Sequence, residues 1–116
     1  MYLQIKSGPA FPPEAEAFFE ARLMAERQAA DGSAEDQLRR FTETQAKYTV
    51  LALYQQTRTD YDEVCAIFGD NHAAPQWVEA DAREKALRTA LYLALSIYRH
   101  QADYNPNWTH HLHQIP

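Results

Sequence analysis

The stretch PQWVEADAREKALRTALYLALSIYRHQ, Pro75 to Gln101, decides the fold class. Its apolar residues Trp77, Ala80, Leu87, Ala90, Leu91, Ala94, Leu95 and Tyr98 recur mostly every three or four positions, which stacks them on one side of a helix. A second set, Ala82, Ala86, Leu93 and Ile97, widens the stripe until the last four turns are apolar nearly all round. Such a helix packs on several neighbours or lies in a subunit contact. Glu79–Arg83, Asp81–Lys85 and Glu84–Arg88 place acid before base at i,i+4, a spacing worth a few tenths of a kcal/mol per pair, so the first half reads as solvated on one side. This segment is expected to be one long helix and the spine of the molecule.

Working toward the N-terminus, Asp70 to Ala74 reads as a polar turn, and Gly69 stops the segment before it. Thr59-Asp60-Tyr61-Asp62 resembles a helix start and predicts a short helix through Val64, Ile67 and Phe68. Before it, Ser33-Ala34-Glu35-Asp36 has the capping-box spacing and opens a helix reaching about Thr57. Leu38, Phe41, Gln45, Tyr48, Ala52 and Gln55 line one side of that helix, and Val50, Leu51, Leu53 and Tyr54 broaden it near the C-terminus. Pro13, with Glu14 and Glu16 behind it, suits a helix N-terminus, and the helix runs to about Ala30 on Phe18, Phe19, Leu23 and Met24. Asp31-Gly32 ends it. The fold class is therefore all-α: a small bundle of about four helices at residues 13–101 with one long C-terminal spine helix, an extended N-terminal arm at 1–12 and an extended C-terminal tail at 102–116.

At 116 residues the chain is the size of one domain and long enough for a core without disulfides. Its one cysteine, Cys65, lies in an apolar run and reads as a core thiol. Sixteen acidic and 11 basic residues are mixed along the chain, without the basic stripe that phosphate backbones require, so nucleic-acid binding is not expected. No apolar run approaches the ~20 residues of a membrane span, and the first residues lack a signal-peptide pattern, so synthesis in the cytoplasm is expected.

Candidate chemistry is thin. His100, His110, His111 and His113 cluster late, and imidazoles bind zinc or nickel, but their spacing does not converge on one ion, so neither metal nor cofactor is expected. A metal-dependent enzyme is the least favoured reading. Asp60, Asp62, Glu63 and Asp70 form an acidic patch better explained by a helix start than by acid–base catalysis. No phosphate-binding glycine loop or nucleophile motif occurs, and the chain is not expected to be an enzyme. Tyr2, Tyr104, Trp108, Leu112 and Ile115 sit in segments without a helical stripe. With His110, His111 and His113 they are the candidate partner contacts, because aromatic side chains left in water are costly and dominate interface hot spots. The outward part of Leu91–Tyr98 is a further candidate subunit face.

The run Asp60-Tyr61-Asp62-Glu63-Val64-Cys65-Ala66-Ile67-Phe68-Gly69-Asp70, the Pro75 that follows, the long helix ending Ala90-Leu91-Tyr92-Leu93-Ala94-Leu95-Ser96-Ile97-Tyr98-Arg99-His100, and then Asn105-Pro106 together resemble the small helical head–tail connector (adaptor) proteins of tailed bacteriophages. The resemblance covers the second half of the chain. It implies a virion structural protein, assembled in the host cytoplasm, forming a ring of its own copies between portal and tail and docking its C-terminal tail on neighbouring proteins. In those relatives a further helix often follows Asn-Pro, where this chain carries a short tail. The net charge of −5 also fits a small acidic inhibitory protein, anti-defence or antitoxin-like, that blocks a basic surface on a host complex.

Overall fold

The computed structural model describes residues 10–29 and 31–109. They form three α-helices: α1 (Pro13–Gln28), α2 (Ala34–Phe68) and α3 (Pro75–Leu95), followed by 3-10 turns at Ser96–Tyr98 and Pro106–Trp108. α1 and α3 both run antiparallel to α2 and lie at different heights along it. α1 meets the stretch 44–55, through Glu26 with Thr44 and Glu16 with Gln55. α3 meets the second half, where Glu84 accepts from Arg58 and Tyr54.

The expected fourth helix is absent because α2 does not break. Thr59 Oγ1 donates to the Gln55 carbonyl four residues back, Gln56 donates to Asp60, and Arg58 pairs with Asp62 at 3.2 Å. Thus Thr59 and Asp60 serve the helix interior instead of capping a new start. No glycine or proline occurs between Ala34 and Phe68 to interrupt it, and α2 runs for 35 residues. At 1.5 Å per residue that is about 52 Å, essentially the 54 Å length of the described molecule. The spine is therefore α2, not Pro75–Gln101. α3 stops at Leu95, where Ser96 Oγ donates to the Leu93 carbonyl at 2.7 Å and the chain tightens into a 3-10 turn.

The helix boundaries have local causes. Ser33 Oγ accepts from the Asp36 amide, and Asp36 Oδ2 accepts from the Ser33 amide, completing the capping box. The Ser33 hydroxyl and amide together hold the Asp36 carboxyl below its ordinary range. Gly69 ends α2 at φ +55°, a left-handed value that a side chain would resist. Pro13 and Pro75 occupy first-turn positions that need no amide donor.

The core is built on Phe18, Phe19 and Leu23 of α1, Leu51 and Tyr54 of α2, and Leu91, Tyr92 and Leu95 of α3. Both flanking segments enter it. Phe11, expected in the arm, is 3% exposed and packs against Tyr54 and Tyr92 at ring-centroid distances of 6.1 and 4.8 Å. Tyr104, expected in the extended tail, is 8% exposed and meets Phe18 edge-on at 5.8 Å. Met24, expected as an anchor of α1, is 52% exposed.

Truncating Tyr104 to Ala removes a buried ring and should cost about 3 kcal/mol. Urea unfolding followed by circular dichroism checks this, and the midpoint should fall without loss of cooperativity.

Candidate functional site

Among the described residues, two polar clusters bind the helices together. In the first, Glu84 is wholly buried on α3. Its Oε2 accepts from Tyr54 Oη at 3.2 Å and from Arg58 at 3.3 Å, and its Oε1 accepts from Arg88 at 3.0 Å. Tyr54 Oη in turn accepts from the Phe11 amide at 2.9 Å, so the network reaches the segment preceding α1. Burial, with the Glu84 carboxylate beside it, raises the Tyr54 phenol above its ordinary range. Burial alone would ease the proton off Arg58, but Asp62 and Glu84 outweigh it and hold the guanidinium charged. A buried carboxylate surrounded by two guanidiniums and a phenol is a compensated charge, whose removal costs more than its formation contributes.

The second cluster lies where α1, α2 and the turn after α3 meet. Tyr98 Oη donates to Glu26 Oε2 at 2.6 Å and accepts from Lys47 at 2.9 Å. Thr44 donates to Glu26 Oε1. Burial, then the bond to Glu26, pushes the Tyr98 phenol well above its ordinary range. Beside this cluster opens a cleft of about 280 Å³ lined by Arg22, Glu26, Asp31, Arg40, Tyr98 and Gln101. Its cations are engaged within the chain. Arg40 donates to the Ala29 and Asp31 carbonyls, and Arg22 donates to Gln101. The chemistry of the cleft is that of helix fastening.

The residues singled out from sequence fall differently. Tyr104 and Trp108 are brought together, rings 5.3 Å apart, and both pack on Phe18 of their own chain. The Tyr104 hydroxyl bonds that of Thr109. These two rings, expected to await a neighbour, pack over α1 of their own chain, Tyr104 buried and Trp108 half-buried. Tyr2, His110, His111, Leu112, His113 and Ile115 lie outside the described residues. His100 is exposed, and Cys65 is half-buried on α2. Among the described residues no three His, Cys, Asp or Glu side chains are grouped to hold a metal ion. No helix among them is long and apolar enough to cross a membrane.

The Glu84 network was hidden because Glu84–Arg88 and Asp81–Lys85 look like solvated helix pairs. Only Glu79–Arg83 is one, with side chains 75% and 49% exposed; Asp81 is 8% exposed. The signal that could have exposed Glu84 is its place, seven residues from both Trp77 and Leu91 on the buried face of α3. The side of α2 expected to be apolar is met in part, since Leu51 and Tyr54 of it are buried. Thr44, Leu51, Tyr54, Thr57 and Tyr61 face inward, whereas Leu38 and Phe41 are 66% and 50% exposed.

No protein-family model, curated protein or solved structure matches the chain.

Two predictions follow from these clusters. Replacing Glu84 by Ala strands Arg58 and Arg88 without their carboxylate and should cost about 3–5 kcal/mol, read by urea unfolding at neutral pH. The raised Tyr98 pKa makes the fold alkali-sensitive: above about pH 10 the unfolded chain releases a proton that the folded chain retains, so stability falls as pH rises. Unfolding midpoints at pH 8 and pH 11 should therefore converge in Tyr98→Phe relative to the parent.

Proposed function

We propose that this chain is a non-catalytic assembly protein that presents helix faces to other polypeptides. The observation that carries this reading is the outer side of α2. Leu38 and Phe41 are half or more exposed, Tyr48 is half-buried, and Ala52 is exposed. At 100° per residue these four fall within one quadrant of the helix, to the side of the Thr44–Tyr61 seam. Arg27 lies over the Tyr48 ring at 5.9 Å and places one cation at the edge of this apolar strip. An apolar strip with a charged margin is the composition of a protein contact.

The resemblance to head–tail connectors supplies the specific form of this reading: a ring component whose partners are portal and tail proteins. In that form the helix face takes the docking role expected of Tyr104 and Trp108, since both rings pack on Phe18 of their own chain. The second reading, an acidic inhibitor of a basic surface, is favoured by the end of the molecule around the α2–α3 turn, where Asp62, Glu63, Asp70 and Glu79 are exposed.

Mixing the chain with purified portal rings, with binding read by sedimentation and negative-stain imaging, separates the two. For the connector form, Phe41→Glu with Leu38→Glu should abolish binding while leaving unfolding within about 0.5 kcal/mol of the parent. Raising salt from 50 to 300 mM should change affinity by no more than about threefold, whereas the acidic reading requires a steep loss with salt. Failure to bind, or binding that ignores the double substitution, would overturn the connector form.

A further inference from the structure

A second open apolar surface lies on α3 and the 3-10 turn that follows it, away from the core side of the helix. Leu93 and Ile97 are 54% and 57% exposed. Ala82 and Ala86 are exposed and Ala90 half-buried on the same side. Core residues Trp77, Glu84, Leu91 and Leu95 take the opposite side, so this strip is surplus to the monomer's packing. From Ala82 to Ile97 it is about 22 Å long. Its two halves differ in size: alanines toward the start of α3, Leu93 and Ile97 toward the end. Its two ends differ in charge, with the exposed Glu79, paired with Arg83 at 3.4 Å, before the alanines and the exposed Arg99 after Ile97.

We propose that this face pairs with the same face of a second copy of the chain, antiparallel, about a two-fold axis near Thr89 and Ala90. In that register Ala86 meets Leu93 of the second copy, and Ala82 meets its Ile97. Each bulky side chain then enters the space beside a small one, twice over, by symmetry. Glu79 of each copy comes to the end that carries Arg99 in the other, adding opposite charges at both margins. A parallel pairing would set Leu93 on Leu93 and Glu79 on Glu79, losing both the size match and the charge match. The strip is small beside standard interfaces, which points to a weak, concentration-dependent dimer with a dissociation constant on the order of micromolar. The pairing is closed, so it leaves the Leu38–Phe41 strip of α2 for other partners. It shares with the proposed function the reading of the chain as an interaction protein, but it concerns a different helix.

Sedimentation equilibrium of the full chain from about 1 to 500 μM tests it, the range bracketing micromolar pairing. The parent should pass from monomer to dimer. Ala86→Leu and Leu93→Ala should each weaken pairing about tenfold or more, whereas the double variant, which exchanges large and small across the axis, should return to within about threefold of the parent. Glu79→Lys should weaken it and steepen its recovery with salt. Circular dichroism confirms that each variant remains folded, as solvent-exposed positions should. A monomer throughout the range, or a dimer insensitive to the single substitutions, overturns the pairing. A double variant no better than its parts overturns the antiparallel register. Phe41→Glu with Leu38→Glu should leave the dimer unchanged, so loss of portal binding and loss of pairing are read separately.

Discussion

A single carboxylate holds the architecture in register. Glu84 has no exposed surface, and it accepts from Tyr54 and Arg58 of the neighbouring helix and Arg88 of its own. An ionised group so placed is tolerable only with its partners present, which makes the alternative pairings of α2 and α3 expensive. A slide by one turn would strand either Glu84 or the arginines. Tyr54 extends the constraint, because the hydroxyl that donates to Glu84 also receives the Phe11 amide and seats that ring against Tyr92. Apolar burial drives the three helices together; the Glu84 network selects how they meet.

The helix boundaries were legible where a local rule had no competitor. Ser33 and Asp36 cap α2, Gly69 ends it, and Pro13 and Pro75 open α1 and α3, each through groups a few residues apart. The continuity of α2 was not legible, because Thr59 and Asp60 have the same composition at a cap as inside a helix. Which role they take depends on where their side chains find acceptors and donors. Leu51 and Tyr54 of the inward face of α2 were legible as apolar, and the rest of that face was hidden for a related reason. Its seam contains Thr44, Lys47, Thr57 and Arg58, polar residues that a hydrophobic count places outside and that Glu26 and Glu84 make tolerable inside.

The tail was the least legible part. Nothing near Tyr104 or Trp108 in sequence indicates that Phe18 lies beneath them, since Phe18 stands at the far end of the chain. Their large rings implied burial, and Tyr104 is buried and Trp108 half-buried. What covers them in the fold is Phe18 of their own chain. The same reasoning, applied to the side chains that the fold leaves uncovered, moves attention from the tail to Leu38 and Phe41 on α2, and to Leu93 on α3 with Ile97 in the turn after it.

The lid that Tyr104 and Trp108 form over Phe18 also fixes an order of events. The two hairpins, α1 with α2 and α2 with α3, join neighbours along the chain through short connections, and closing such loops costs little entropy. Seating the lid on α1 joins segments from opposite ends of the sequence, and it waits until both hairpins exist. Contacts made last, over few residues and near the surface, are those that breathe first. Slow proton exchange should therefore persist along the middle of α2 while the Phe18 patch opens and recloses, a transient aromatic window in an otherwise shut molecule.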